Sequence, residues 1–128
     1  MPRRVDAAKG DILMAKEIVF LFDTRAKLKA FPEEPRIKMG FALRAAQEGS
    51  KAAYAKPLKG IGTGATVIEI CDDHDGNTYR VMYTVKIGNK LFVLHVFQKK
   101  SKKGIETPKS EIDLIKDRLN KARALAGE

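Results

Sequence analysis

A pair of strand-like runs joined by a Gly-Asn turn constrains the fold more than any other part of this sequence. Across residues 79–87 every second residue is apolar, and Arg80 has the opposite parity. This period of two predicts a half-buried strand whose outer face carries Arg80. Residues 91–97 are apolar on both parities apart from His95, which predicts a strand covered on both faces. The Gly88-Asn89 dipeptide tolerates the positive φ angles of a tight turn, so we expect a β-hairpin.

A cluster of lysines follows the second run directly. Four of the five residues from 99 to 103 are lysine, and a sheet that ends in such a cluster is suited to holding phosphates. The whole chain has 25 basic and 16 acidic side chains, which gives a formal net charge of +9. That balance favours an anionic partner such as nucleic acid or an acidic protein, and the alternative is a basic protein with no polyanionic partner.

Length and apolar content predict one folded domain. With 128 residues, of which 44% are hydrophobic, the chain is long enough to bury a core. We expect residues 1–16 to be a flexible leader, with Met1 or Met14 as the start, and residues 17–126 to form the domain. The single cysteine, Cys71, lies in an apolar run, as a buried structural side chain does. No apolar stretch near the start is long enough for a signal peptide or a membrane span, so we expect a cytoplasmic protein with no membrane partner.

Two helices are predicted before the strands, within residues 24–49. Pro32 divides them, and Gly49 suits the position just after the second helix. The second helix is expected to bury a stripe of Ile37, Phe41 and Ala45, broadened by Met39, Ala42, Leu43 and Ala46.

A last helix is predicted after the lysine cluster, with Thr107 as its cap and Pro108 at its first position. Its buried stripe is expected to comprise Ile112, Ile115, Leu119 and Ala122. With further strands at 17–23 and 65–71, the predicted order is β-α-α-β-β-β-α. Between the strand at 65–71 and the central hairpin, residues 72–75 contain three aspartates and a histidine. Contiguous ligands in a short turn seldom converge on one ion, so we expect an acidic turn, no metal site and no cofactor.

Three strings carry a resemblance to a known family: KPLKGIGTG at 56–64, YRVMYTV at 79–85 and LFVLHVFQKKSKKGIETPKSEID at 91–113. Over about residues 17–122 the chain resembles the phage-related, HigB-like branch of the RelE/HigB superfamily of type II toxins. The resemblance implies an α+β, RelE-like fold in which two N-terminal helices pack on a curved, mainly antiparallel sheet of about four strands, with a C-terminal helix. It also implies ribosome-dependent cleavage of mRNA. The implied partner is a cognate antitoxin, which in this branch usually carries a helix-turn-helix DNA-binding domain.

The resemblance also implies roles for particular residues. It places Arg80 on the concave sheet face near the scissile phosphate, and Lys99 and Lys100 about where relatives carry a second cation. His95 is a further catalytic candidate because imidazole titrates near neutrality, although a histidine in an apolar strand is also typical of a core position. The cations predicted to bind RNA are Lys56, Lys59, Lys86, Lys102 and Lys103. The chain lacks the tyrosine that RelE places near the C-terminal end of the sheet and the terminal histidine of some HigB relatives, so the general base and acid stay open.

Cleavage at an internal 2′-hydroxyl requires a base for the hydroxyl proton, an acid for the leaving 5′-oxygen and positive charge near the phosphorane. Arg80 offers a rigid fork for phosphate oxygens, and a lysine among other cations can serve as a point charge, an acid or a base. Glu69 is a candidate to orient Arg80 across the sheet or to form a purely structural ion pair with it.

Two other hypotheses keep the same fold. A ParE-like inhibitor of DNA gyrase, or another non-catalytic binder, has no need for Arg80 and the lysines to converge on one phosphate. A decayed prophage protein has no active role. No aromatic platform accompanies the lysines, because Tyr79 and Tyr83 take the buried parity. We therefore expect free RNA to be held weakly and the ribosome to present the mRNA.

Overall fold

The computed structural model describes residues 15–61, 66–100 and 107–128. Nearly all of the expected leader lies outside the described residues, as do Lys102 and Lys103. The elements follow in the order β1 (Ile18–Phe20), α1 (Thr24–Lys29), α2 (Glu33–Gln47), β2 (Ala55–Pro57), β3 (Ile68–His74), β4 (Asn77–Ile87), β5 (Lys90–Lys100) and α3 (Lys109–Leu125). Within the described ranges, no helix is both long and apolar enough to cross a membrane.

The sheet has five strands in the order β1-β5-β4-β3-β2. Neighbouring strands are antiparallel except that β1 runs parallel to β5. The expected fold, two N-terminal helices on a mainly antiparallel sheet of about four strands, is therefore wrong: the sheet is mixed and five-stranded, and helices lie towards both ends of the chain. The additional strand, β2, is only three residues long and has no period-two pattern. It forms because it pairs with β3, a contact that local sequence does not encode.

Two tight turns define the central hairpins. Gly88 and Asn89 have φ angles of 60° and 57°, which confirms the predicted turn between β4 and β5. Asp75 and Gly76 have φ angles of 50° and 79° and form a second turn of the same length. The acidic segment is therefore mostly strand, because β3 continues to His74.

The first two helices cover one face of the sheet and carry the chain from β1 at one edge to β2 at the other. The predicted stripe on α2 is wrong in its centre, because Ile37 and Phe41 are 61% and 68% exposed. The residues that α2 buries are Pro35, Met39, Ala42, Leu43 and Ala46. Apolar residues lie on two faces of this helix, and contact with the sheet, not periodicity, selects the face that is buried.

The C-terminal helix α3 covers the opposite face of the sheet. Its predicted stripe is confirmed, since the buried residues are Ile112, Ile115, Leu119 and Ala122. This helix makes the half-buried interpretation of β4 wrong: Met82, on the face expected to be open, is fully buried in a cluster with Ile115 and Leu119. Strand β5 is covered on both faces as predicted, with residues 91–97 all buried.

Candidate functional site

Arg80 lies on the sheet face that α3 covers, close to the start of that helix, and not on an open face. Its Nη1 donates to Glu69 Oε2 at 2.7 Å and to Thr107 Oγ1 at 2.9 Å. The Thr107 hydroxyl in turn donates to Glu69 Oε2 at 3.1 Å. The side chains of Arg80 and Glu69 are only 13% and 9% exposed. These groups form a largely buried triangle that ties β3, β4 and the start of α3 together.

Strand register explains why Glu69 reaches Arg80. Cys71 is directly opposite Arg80, and Glu69 is opposite Met82, so Glu69 and Arg80 are diagonal neighbours on one face. Diagonal Cβ atoms are about 7–8 Å apart, a gap that two long side chains span easily. The pairing that the sequence suggested is therefore present, and it fixes the direction of the guanidinium group.

Glu111, in the first turn of α3, connects two candidate residues of β5. Its Oε1 is 2.7 Å from His95 Nε2, and its Oε2 is 3.7 Å from Lys99 Nζ. The Lys99 side chain is 43% exposed, whereas that of Glu111 is 20% exposed. Lys99 is thus the most exposed of these three side chains. Glu111 lies between Lys99 and the buried His95.

His95 is enclosed by protein partners. It is 4% exposed, and its Nδ1 is 3.5 Å from Arg118 Nη1, which also donates to the Leu94 carbonyl oxygen at 2.9 Å. Burial lowers the pKa of His95, while the hydrogen bond and the charge of Glu111 partly oppose this and Arg118 reinforces it. The neutral ring satisfies both neighbours when its proton is on Nε2 and faces Glu111. This arrangement is typical of a core histidine, and a catalytic role for His95 stays a prediction.

The remaining predicted cations are divided between different parts of the surface. Lys56 is exposed and pairs in register with Glu69, so it lies on the face of Arg80. Lys59 is exposed in the loop after β2, whose Leu58 and Ile61 pack against the α3 side of the core. The structure therefore brings Lys56 and Lys99 to the face of Arg80, with Lys59 on the adjoining loop.

Two predicted cations lie elsewhere. Lys100 follows Lys99 on a strand, so alternation directs it to the opposite face. Lys86 lies six residues along β4 from Arg80, about 20 Å away. Lys102 and Lys103 cannot be placed, because they are outside the described residues.

Three residues at this face were not singled out for the site from the sequence: Glu111, Arg118 and, in this role, Thr107. Thr107 was expected to cap α3, but that expectation is wrong, because Pro108 is the N-cap residue and the Thr107 hydroxyl turns to Glu69 and Arg80. The sequence feature that could identify Glu111 as a site residue is its position in the first turn of a helix that follows the lysine cluster. No local pattern indicates the contact of Arg118 with His95.

The possible ligands near the acidic turn point in different directions. Alternation along β3 directs Asp72 and Asp73 to opposite faces, where they pair with Lys38 at 3.0 Å and Thr78 at 2.8 Å. Burial raises the pKa of the Cys71 thiol, and Arg80 opposes this only in part, so the thiol stays protonated near neutral pH. In the part of the chain that the structure describes, no three His, Cys, Asp or Glu side chains are grouped so as to hold a metal ion.

Comparison with known proteins identifies a family. The model of the family described as Phage derived protein Gp49-like (DUF891) matches residues 26–120, well over half of the chain. Neither the curated proteins nor the solved structures contain a match. The matched span includes Arg80, Lys99 and Glu111. The chain therefore belongs to the Gp49-like family of phage-derived proteins, a toxin-like family of the RelE type.

Proposed function

We propose that this chain is the toxin of a type II toxin-antitoxin pair of the HigB-like kind, and that it cleaves mRNA on the ribosome. Membership of a toxin-like, RelE-type family supports the class of protein. The observation that carries the proposal is that Arg80 and Lys99 lie on one sheet face beside the start of α3, and that Lys56 lies on the same face of the sheet. A cationic face of this kind suits phosphate groups, and the net charge of +9 attracts RNA.

The proposed reaction is attack of a 2′-hydroxyl on the adjacent phosphate, without a metal ion. Glu111 accepts the hydroxyl proton, the new O–P bond closes a 2′,3′-cyclic phosphate, and the bond to the 5′-oxygen breaks. Lys99, whose Nζ lies 3.7 Å from Glu111 Oε2, protonates that leaving oxygen and stabilises the phosphorane charge. Arg80 adds positive charge from within the sheet, where Glu69 holds it in a fixed orientation but offsets part of its charge.

The proposed protein partner is an antitoxin with a helix-turn-helix domain and an acidic contact surface. A domain with a net charge of +9 is held inactive most readily by a partner that covers part of its positive field. Association should then slow as salt rises, because rim charges act mainly on the association rate.

One observation favours a second candidate function. The guanidinium of Arg80 is already engaged by a carboxylate and a hydroxyl, an arrangement that fits a structural role as well as a catalytic one. A non-catalytic binder with a RelE-type fold, such as a ParE-like inhibitor of DNA gyrase, requires only this structural role of Arg80. A decayed prophage protein requires neither a catalytic site nor a binding surface.

Inducible expression with mapping of mRNA 5′ ends distinguishes these candidates. The proposal predicts growth arrest with new internal 5′ ends for the wild type and neither effect for Lys99→Ala. Arg80→Met combined with Glu69→Leu removes both buried charges together, so a loss of cleavage in that variant reports on charge and not on an unpaired carboxylate. Growth arrest without new 5′ ends would favour the non-catalytic binder, and no growth arrest would favour the decayed protein.

A further inference from the structure

Phe22 is held in an unfavourable backbone conformation with its ring exposed. It lies in the turn between β1 and α1, which Thr24 closes by donating its N–H to the Leu21 carbonyl at 3.1 Å. Its φ is 54°, a value that bulky residues rarely adopt. Its side chain is 63% exposed, so core packing does not account for the aromatic residue at this turn. Residues held in such backbone conformations are concentrated at functional sites.

A groove lies beside the ring, between this turn and α3. It has a volume of about 480 Å³. The guanidinium carbon of Arg118 lies 4.8 Å from the centroid of the Phe22 ring, within cation–π range. Arg118 also donates to the Leu94 carbonyl at 2.9 Å, so it links the ring to β5. One side of the groove is therefore an aromatic ring in contact with an arginine.

The rest of the groove combines apolar and polar groups. Leu114 and Ala124 are its further apolar lining residues, and Asn120, Lys121 and Asp117 line it as polar or charged residues. A flat aromatic surface with adjacent cations is how proteins hold single-stranded nucleic acid, since every base has a π face. An amide such as that of Asn120 can hydrogen-bond to a base edge.

We propose that this groove binds single-stranded RNA by stacking one base on Phe22, with Lys121 directed to the backbone. The inference rests on the proposed function, because it takes RNA as the ligand, and it adds a binding site outside the catalytic group. It also changes the expectation that this chain lacks an aromatic surface for RNA. The sequence predicts a strand over residues 17–23, but β1 ends at Phe20, and Phe22 lies beyond it with a positive φ and an exposed ring.

The groove is positioned to act on the same RNA strand as Lys99. Arg118 contacts His95, His95 contacts Glu111, and Glu111 contacts Lys99. Along α3, the seven residues from Glu111 to Arg118 span about 10 Å. About three stacked nucleotides cover that distance, so a base on Phe22 would fix the strand a few nucleotides from the scissile phosphate.

The chain supplies a matched control residue. Phe41 is 68% exposed, about as much as Phe22. It lies on the outer side of α2, the helix that covers the sheet face opposite to α3. Its ring has no cation–π contact with an arginine among those found in the described residues. Loss of Phe41 therefore removes an exposed phenyl ring without touching the groove.

The test is fluorescence polarisation of a labelled, single-stranded RNA oligonucleotide with the full-length protein. The variants are Phe22→Gly, Phe22→Trp and Phe41→Ala. Glycine adopts a positive φ without strain, so Phe22→Gly removes the ring while keeping the turn. We expect Phe22→Gly to weaken binding by about 5- to 150-fold, the effect of losing one stacked base, and Phe22→Trp to bind at least as well as the wild type. Phe41→Ala should match the wild type.

The outcomes separate this inference from the proposed function. If the wild type binds RNA and Phe22→Gly binds it equally well, the groove assignment is overturned, and the groove is left as a surface for an apolar protein segment. Undetectable binding by the wild type also overturns it, while cleavage of ribosome-bound mRNA is measured independently. Weakened binding in Phe22→Gly, together with no cleavage by any variant, supports the groove and contradicts the catalytic proposal.

Discussion

Glu69 and Arg80 form a buried ion pair, with 2.7 Å between Oε2 and Nη1, and this pair joins the candidate site to the fold. Thr107 hydrogen-bonds to both partners, so the start of α3 is attached to β3 and β4 at the same point. Water reaches neither side chain freely, so the two charges depend on protein partners, including each other. Changes at Arg80 should therefore affect stability as well as activity.

Replacing Arg80 alone should destabilise the protein strongly. Arg80→Ala leaves the buried Glu69 carboxylate without its cationic partner, and loss of one member of such a pair costs about 3–5 kcal/mol. The control is Arg80→Met with Glu69→Leu, which should unfold close to the wild type because both charges are gone. Urea unfolding measures both. An Arg80→Ala variant within about 1 kcal/mol of the wild type would show that the pair is solvated.

Two adjacent lysines should differ in their effect on cleavage. Lys99→Ala should lower the cleavage rate by about 10²- to 10⁴-fold, because it removes a proposed general acid. Lys100→Ala removes the same charge one residue later, on the opposite face of β5, and should stay within a few-fold of the wild type. Single-turnover cleavage on programmed ribosomes provides the comparison. Equal losses of cleavage rate from the two changes would mean that the total positive charge, and not the position of Lys99, determines the rate.

His95 should make the protein less stable in acid. Burial lowers its pKa in the folded state below the ordinary value near 6.5, so the unfolded chain binds the proton more readily. The free energy of unfolding should then fall as pH drops through about 6.5 and below. His95→Gln keeps a hydrogen-bond donor near Glu111 but does not titrate. The difference in stability between wild type and variant, followed from about pH 7.5 to pH 5, should change with pH; a constant difference would contradict the lowered pKa.

Gly88 should tolerate substitution less well than Gly76. Both glycines have positive φ in two-residue turns, so an alanine at either position costs about 1–2 kcal/mol of backbone strain. A Cβ on Gly88 would also lie 2.7 Å from the Cβ of Ala126, whereas one on Gly76 meets nothing within 4 Å. Gly88→Ala should therefore lose about 1–3 kcal/mol more in thermal unfolding. Adding Ala126→Gly should restore that extra loss, and failure to do so would mean that α3 does not press on this turn.

The sequence predicts those elements whose signals are local. The β4–β5 turn follows from Gly88-Asn89, and the buried side of α3 follows from the spacing of residues 112, 115, 119 and 122. Elements selected by tertiary contact are not predictable in this way. Strand β2 depends on pairing with β3, and the buried side of α2 depends on which of two apolar faces meets the sheet.

The same distinction between local signals and tertiary contacts applies to the candidate site. Arg80 and Glu69 lie on neighbouring predicted strands, so their pairing could be suggested from the sequence. The cover that α3 provides could not, and it is this cover that buries Arg80, encloses His95 and brings Glu111 to Lys99. Likewise the end of β1 at Phe20, which leaves Phe22 exposed in a turn with a positive φ, is not revealed by the apolar run in the sequence.

The central claim is that this chain cleaves mRNA that the ribosome presents. Purified protein is incubated with naked mRNA and with the same mRNA on a programmed ribosome, and cleavage is followed by primer extension, with Lys99→Ala as the inactive control. Cations and one stacking ring cannot align a 2′-hydroxyl with its phosphate on a mobile strand, and that alignment is worth up to about 7–11 kcal/mol of the barrier. We predict cleavage of the ribosome-bound mRNA and little or none of the naked mRNA. Equal rates in the two reactions, or no cleavage in either, would contradict the account.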